Sequence, residues 1–204
     1  MKVLLINGSP HENGCTYTAL CEVAAALNAQ GIETQIFHIG KKPVRGCIAC
    51  GACAKLGKCT FSDDAANEML ALMQAADGIV IGSPVYYAGP NGALCALLDR
   101  AFYSGSARLA FKPAAAVVSA RRSGTTAAFD RLNKYFTMNR MPVVSSQYWN
   151  GVHGFTCDEV KKDEEGLQTM RTLGYNMAWM LKNIESGKQP LPEIEPWIGT
   201  HFIK

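Results

Sequence analysis

Met1-Lys2-Val3-Leu4-Leu5-Ile6-Asn7-Gly8-Ser9-Pro10-His11-Glu12-Asn13-Gly14-Cys15-Thr16 is the stretch whose reading decides the fold. Val3, Leu4, Leu5 and Ile6 are apolar without alternation, the pattern of a strand covered on both faces. Asn7, Gly8, Ser9 and Pro10 are turn formers. From Thr16 the period changes: Leu20, Val23, Ala24 and Leu27 share one face of a helix expected over 16–29, and Gly31 stops it. A strand that turns directly into a helix presents free backbone N–H groups and a positive helix end, which favours a phosphate. Ser9 and Thr16 add hydroxyl donors, and His11 adds a further donor or a positive charge. The spacing is neither the G-x-G-x-x-G fingerprint nor a P-loop, so a monophosphate suits it better than a pyrophosphate. An ordinary turn with a capping Thr16 would use the same residues, and other loops must decide.

The strand–helix unit recurs along the chain. Strands are expected over 34–39, 78–81, 114–119 and 142–146. Helices are expected from Ser62-Asp63, over 92–102, over about 125–137 and over about 163–184. Five such units make a doubly wound α/β fold, a five-stranded parallel sheet with right-handed crossovers and helices on both faces. Loops leaving parallel strands gather at one edge, and ligands bind where the strand order reverses. The segments 9–16, 83–90 and 119–125 should therefore converge. No domain boundary interrupts the chain, so 1–204 reads as one domain with a cysteine-rich loop at 41–62 and an arm at 187–204. Pro190, Pro192 and Pro196 exclude a helix from that arm. Trp197, Phe202 and Ile203 would pack on the body or on a second subunit, unless the tail frays.

The composition narrows the function. Of 204 residues, 48% are hydrophobic and 18% charged, which describes a packed domain. The net charge of +3 is spread out, with basic runs no longer than Lys41-Lys42, Arg121-Arg122 and Lys161-Lys162, so no nucleic-acid partner is expected. The N-terminus enters a strand without a signal peptide, and no apolar run reaches the ~18 residues of a membrane span. A cytoplasmic protein without membrane insertion is the expectation.

Cysteine usage is the anomaly. Of eight cysteines, Cys47, Cys50, Cys53 and Cys59 fall in one short loop, a distribution that suits a local metal or redox site better than a disulfide framework. The two spacings among the first three match those of bacterial iron–sulfur ligands. Gly46, Gly51 and Gly57 would let the chain wrap a [4Fe–4S] cluster, and Lys41, Lys42, Arg45, Lys55 and Lys58 suit a negatively charged one. Zinc, and a loop of reduced thiols with no metal, remain alternatives.

With Gly8-Ser9-Pro10, Gly14-Cys15-Thr16, the cysteine loop, Asp77-Gly78-Ile79-Val80-Ile81-Gly82-Ser83-Pro84-Val85-Tyr86-Tyr87, Asp99-Arg100 and Asp163-Glu164-Glu165-Gly166, the chain resembles the NAD(P)H-dependent FMN reductase and flavodoxin-like oxidoreductase group, including its iron–sulfur flavoprotein branch. The resemblance implies a flavodoxin-like sheet of order 2-1-3-4-5. It implies that Ser9, Pro10, His11, Gly14, Cys15 and Thr16 hold the FMN phosphate. Pro84, Val85, Tyr86 and Tyr87 would hold the isoalloxazine, with Ser119, Ala120, Arg121, Arg122 and Gly124 at the ring edge. Cys47, Cys50, Cys53 and Cys59 would be metal ligands. Many relatives have Arg where His11 stands and Asn or Ser where Cys15 stands, so phosphate binding would rest on backbone amides, Ser9 and Thr16. Trp149 and His153 are candidates to line a substrate pocket. Asp99 and Arg100 should pair with each other at a helix end.

The implied activity is hydride transfer from NADH or NADPH to FMN, then electron delivery to a quinone, a nitroaromatic, free flavin or a redox protein, by a homo-oligomer (dimer or tetramer). No side-chain acid or base is required for the hydride step, so no catalytic residue is assigned. The alternative is a flavodoxin-type electron carrier without NAD(P)H turnover. Such carriers are generally strongly acidic and this chain is slightly basic, which favours the enzyme.

Overall fold

The computed structural model describes residues 1–187, 189–192, 195–196 and 198–200. β1 (Lys2–Asn7) alternates its side chains between two cores. Leu4 and Ile6 join Ile79, Ile81, Ala116 and Val118 under α3 (Ala66–Ala75), α4 (Gly92–Gly105) and α5 (Thr125–Met138). Val3 and Leu5 join Val80, Ala115 and Val117 under α1 (Cys15–Ala29) and α7 (Glu164–Gly187) on the other face, while α2 (Cys53–Leu56) and α6 (Cys157–Val160) are short turns of helix between the longer elements. Burial on both faces is what the unbroken apolar runs required.

β1 pairs in parallel with β2 (Glu33–His38) and with β3 (Gly78–Tyr86). β5 (Ala114–Ala120) lies beyond β3, and β6 (Gly151–His153) beyond β5, giving the parallel order β2-β1-β3-β5-β6. These five strands reproduce the expected flavodoxin-like topology. A sixth strand, β4 (Gly89–Pro90), pairs antiparallel with the end of β3.

Two local expectations are corrected. The last parallel strand is not 142–146: Val143 makes a single bridge to Ala114, and the ladder resumes only at Gly151. Between them the chain bulges around Ser146, whose Oγ lies 2.6 Å from Tyr148 O and 2.7 Å from Asn150 Oδ1. Buried Asn150 then donates from Nδ2 to Ala116 O at 3.1 Å, occupying a ladder acceptor with a side chain. The helix expected from Ser62-Asp63 begins only at Ala66. Asp63 is drawn to Arg45, and Asp64 binds Arg100 with one carboxylate oxygen while the other accepts Ala66 N at 3.1 Å, so both acids stay ahead of the helix. Trp197, Phe202 and Ile203 of the C-terminal arm lie outside the described residues.

α3 ends on a cation. Lys112 Nζ donates to the carbonyls of Met73 (3.3 Å), Gln74 (2.6 Å) and Ala76 (2.5 Å), while burial pulls its pKa down. These are the orphan acceptors of a helix terminus, met by the charge that its negative end favours. Lys112→Met should therefore destabilise the chain by about 2 kcal/mol, the range of hydrogen bonds to a charged group. An unchanged urea midpoint would show that water serves those carbonyls equally well.

Candidate functional site

The exit of β1 is built for close approach. Gly8 N donates to Gly82 O at 2.9 Å, and a Cβ on Gly8 would lie 2.7 Å from that oxygen. Buried Asn7 shapes the turn: its Oδ1 accepts Ser9 N at 3.1 Å and its Nδ2 donates to Glu12 O at 2.9 Å. Ser9 Oγ accepts His11 N at 3.0 Å, which leaves the hydroxyl hydrogen to point elsewhere. His38, at the end of β2, braces the loop with Nε2 2.8 Å from Ser9 O.

α1 then follows Gly14, its N-cap residue, with no side-chain cap and no acidic residue in its first turn. Its first-turn amides and positive end are left for an anion, which is the fit a phosphate needs. His11 is exposed at the rim, and Pro10 and Gly14 are half-buried. Cys15 and Thr16 face inward. The Cys15 thiol donates to Gly154 O at 3.7 Å, and burial pushes its pKa up, so it brings no negative charge to the loop at neutral pH. Thr16 is buried, with Oγ1 2.8 Å from Ser119 Oγ. That pair ties the first loop to the end of β5 and leaves one hydroxyl hydrogen free.

The expected loop 84–87 is mostly strand. β3 continues to Tyr86, turns through Tyr87 and Ala88, and returns as β4, pairing Val85 with Pro90 and Tyr86 with Gly89. Pro84 sits in the ladder opposite Ser119. Tyr87 (φ 49°) and Ala88 (φ 60°) are both left-handed, as a type I′ turn demands, although neither is a residue that such a turn prefers. Left-handed non-glycine residues cost about 1–3 kcal/mol each and gather at ligand clamps. Tyr86 is half-exposed and Tyr87 fully exposed at this tip. Asn91 anchors the hairpin: its N donates to Ser83 Oγ (2.9 Å), its Nδ2 to Gly8 O (3.0 Å), and its Oδ1 caps α4 at Ala93 N (2.8 Å). Sequence reasoning missed Asn91, although an Asn just before a helix is a capping signal.

The third loop meets the same hairpin. Ser119 and Ala120 are buried at the end of β5, whereas Arg121 and Arg122 are exposed and unpaired among the described residues. Gly124 (φ +88°) lies so close that a Cβ would come 2.9 Å from Ala88 Cα and 3.1 Å from Val85 Cγ1. The three loops therefore converge as the topology required. Beside them, Trp149 and His153 do share a cavity of about 110 Å³ with Tyr148, Phe129 and Thr125. Backbone His153 N is held by Asp163 Oδ2 at 2.7 Å, and the Asp163 carboxylate also accepts Gly166 N at 2.9 Å.

Cys47, Cys50, Cys53 and Cys59 line one recess with Phe61, Arg100, Tyr103 and Ser104. Ala49 N donates to Cys47 Sγ at 3.4 Å, Cys53 Sγ lies 3.9 Å from Tyr103 O, and Arg100 Nε donates to Cys59 Sγ at 3.2 Å. Among the described residues no three His, Cys, Asp or Glu side chains converge tightly enough to grip a metal ion. The donor set nonetheless fits a thiolate-ligated, negatively charged group: four thiols on one wall, an amide N–H and a guanidinium aimed at sulfur. Ala49 (φ 53°), Gly51 (φ 72°) and Gly57 (φ 64°) bend the loop around the recess.

The source of positive charge differs from the expectation. Arg45 is engaged by Asp63 at 3.0 Å and lies 4.4 Å over the Phe61 ring. The cation that reaches sulfur is Arg100, from α4. Asp99 and Arg100 do not pair with each other, because neighbours on a helix point about 100° apart. Arg100 is buried against Asp64, while Asp99 faces Arg131 (3.5 Å) and the Tyr135 hydroxyl.

Comparison with known proteins agrees with this geometry. The sequence model for NADPH-dependent FMN reductase matches residues 1–156. An iron–sulfur flavoprotein of Methanocaldococcus jannaschii is 34% identical over 196 residues, covering 91% of this chain and 100% of that protein. One from Methanosarcina thermophila is 28% identical over 192 residues, covering 92% and 99%. Among solved structures, an apo NADH:FMN oxidoreductase superposes with a TM-score of 0.65 at 18% identity, covering 88% of this chain and 89% of that one, a likeness of fold. No helix among the described residues is long and apolar enough to cross a membrane. The chain belongs to the NADPH-dependent FMN reductase family, in its iron–sulfur flavoprotein branch.

Proposed function

We propose that the protein is an FMN-dependent oxidoreductase that takes hydride from NADPH or NADH and passes electrons on, with the four-cysteine recess as an iron–sulfur relay. One observation carries the reading: three loops from β1, β3 and β5 are locked together by Gly8 against Gly82, Thr16 against Ser119, and Gly124 against Ala88. Ser9, Gly14 and the first-turn amides of α1 would hold the phosphate, with His11 at its rim. Val85, Tyr86 and Tyr87 would border the ring, and Ser119 to Gly124 its edge. Bound there, FMN accepts two electrons as hydride and can release them singly. The chain's part is to fix the ring, keep one face open and offer Arg121 or Arg122 to a nucleotide phosphate.

Cys47, Cys50, Cys53 and Cys59 would ligate a [4Fe–4S] cluster: the relatives are named iron–sulfur flavoproteins, and four thiols lining one recess suit such a group. Acceptors of the electrons would be quinones, nitroaromatics, free flavin or a redox protein. The test is anaerobic stopped-flow mixing of FMN-loaded protein with NADPH and with NADH. Bleaching of the flavin band is expected with at least one nucleotide, and no bleaching with either overturns the enzyme reading. Iron and acid-labile sulfide below one per subunit after anaerobic purification would overturn the cluster.

A further inference from the structure

The residue that closes the cysteine recess comes from outside the cysteine loop. Arg100 is 2% exposed, and its donors all go to one stretch of chain. Nε serves Cys59 Sγ at 3.2 Å, Nη1 serves Arg45 O at 3.3 Å and the Asp64 carboxylate, and Nη2 serves Phe61 O at 3.1 Å. The same helix is pinned at its start by Asn91 to Gly8 and Ser83, about 14 Å along the axis from Arg100. One rigid element thus carries both the flavin-loop anchor and the cation of the cysteine recess.

We propose that Arg100 is a positioning residue of this centre, fixing Cys59 and holding up the reduction potential of the iron–sulfur group that the four thiols ligate. The proposal rests on the cluster reading given above. Reduction adds negative charge, and a nearby cation favours the more negative form. Lys41, Lys42, Lys55 and Lys58 are exposed, and water and salt screen them. Arg100 is not screened: its side chain is 1% exposed and its Nε touches sulfur. Asp64 offsets part of that charge from the Nη1 side. A brace with no electrostatic role would need only the carbonyl bonds to Arg45 and Phe61; the bond to sulfur is what adds a function.

The sign of two substitutions separates these roles. Parent, Asp64→Asn and the double variant Asp64→Asn/Arg100→Gln are reconstituted anaerobically with ferrous iron and sulfide in FMN-loaded protein. Each is then titrated electrochemically, with the reduced cluster followed by electron paramagnetic resonance and the flavin by absorbance. Asp64→Asn should shift the cluster potential upward. Adding Arg100→Gln should shift it down from that value, while the flavin potential stays in place in all three. Equal cluster potentials in iron-loaded proteins, or flavin and cluster moving together, overturn the proposal. If the double variant loads no iron, Asp64→Asn/Arg100→Lys, which keeps the positive charge, should load iron and hold the potential near that of Asp64→Asn, and a failure to do either overturns the proposal. A parent that binds no iron overturns the cluster reading itself and this proposal with it, and iron and sulfide analysis identifies that case.

Discussion

Gly124→Val is expected to weaken FMN binding roughly ten- to hundredfold while leaving the fold intact. Two independent costs fall on this position. Its φ of +88° lies in the left-handed region, where a branched residue is penalised by about 1–2 kcal/mol. Its Cβ would also stand 2.9 Å from the Ala88 backbone and 3.1 Å from Val85. Neither neighbour is the free end of a flexible side chain, so the hairpin tip must move, at a typical overpacking cost of about 1–3 kcal/mol. Because each 1.4 kcal/mol is tenfold in affinity, only part of the sum needs to appear in binding to give that range. Quenching of flavin fluorescence gives the dissociation constant, and far-ultraviolet circular dichroism checks the fold. Unchanged affinity would mean that FMN does not sit between these two loops.

The parts of this fold that could be read from the sequence are those decided within a few residues. β1, its glycine turn and α1 follow from an apolar run that passes through Gly8 into a helical period, and the structure places them within a residue of the expected bounds. The type I′ hairpin was not legible, because Tyr87-Ala88 lacks the Asn-Gly signature and its strain is sustained by Asn91, Ser83 and the abutting Gly124. The last strand was misplaced for a related reason. Val143 and Val144 look like a strand, but the sheet is completed by the side chain of Asn150 and then by 151–153, a tertiary choice that propensity does not record. The cysteine spacing was plain on the page; its counter-charge was not. Arg100 lies 41 residues beyond Cys59, and only burial reveals that it outweighs the five basic residues of the loop itself.

That burial makes Arg100→Met the most destabilising single change expected, about 3–5 kcal/mol at neutral pH, because removing one partner strands a buried charge. Both side chains are sealed, Arg100 at 1% and Asp64 at 4% exposure. Burial works against each ion, yet their hydrogen bonding prevails: Asp64 is held below the usual carboxylate range and Arg100 is raised. A depressed carboxylate contributes stability above its ordinary pKa, near 3.8, and loses it as the pH falls through the folded value. In Arg100→Met the balance changes. Burial, the largest influence on Asp64, is then opposed only by the amide bonds from Ala66 and Arg45, so its pKa rises above that in the parent and protonation costs the variant less than the parent. The gap in stability between parent and variant should therefore be widest at pH 7 and close on acidification. Asp64→Asn/Arg100→Met should recover part of the neutral-pH loss without acid. Urea unfolding at pH 7 and again near pH 4 measures both terms. A gap that stays constant with pH would mean that Asp64 is hydrated once its partner is gone, and that the recess is held shut by packing rather than by the buried ion pair.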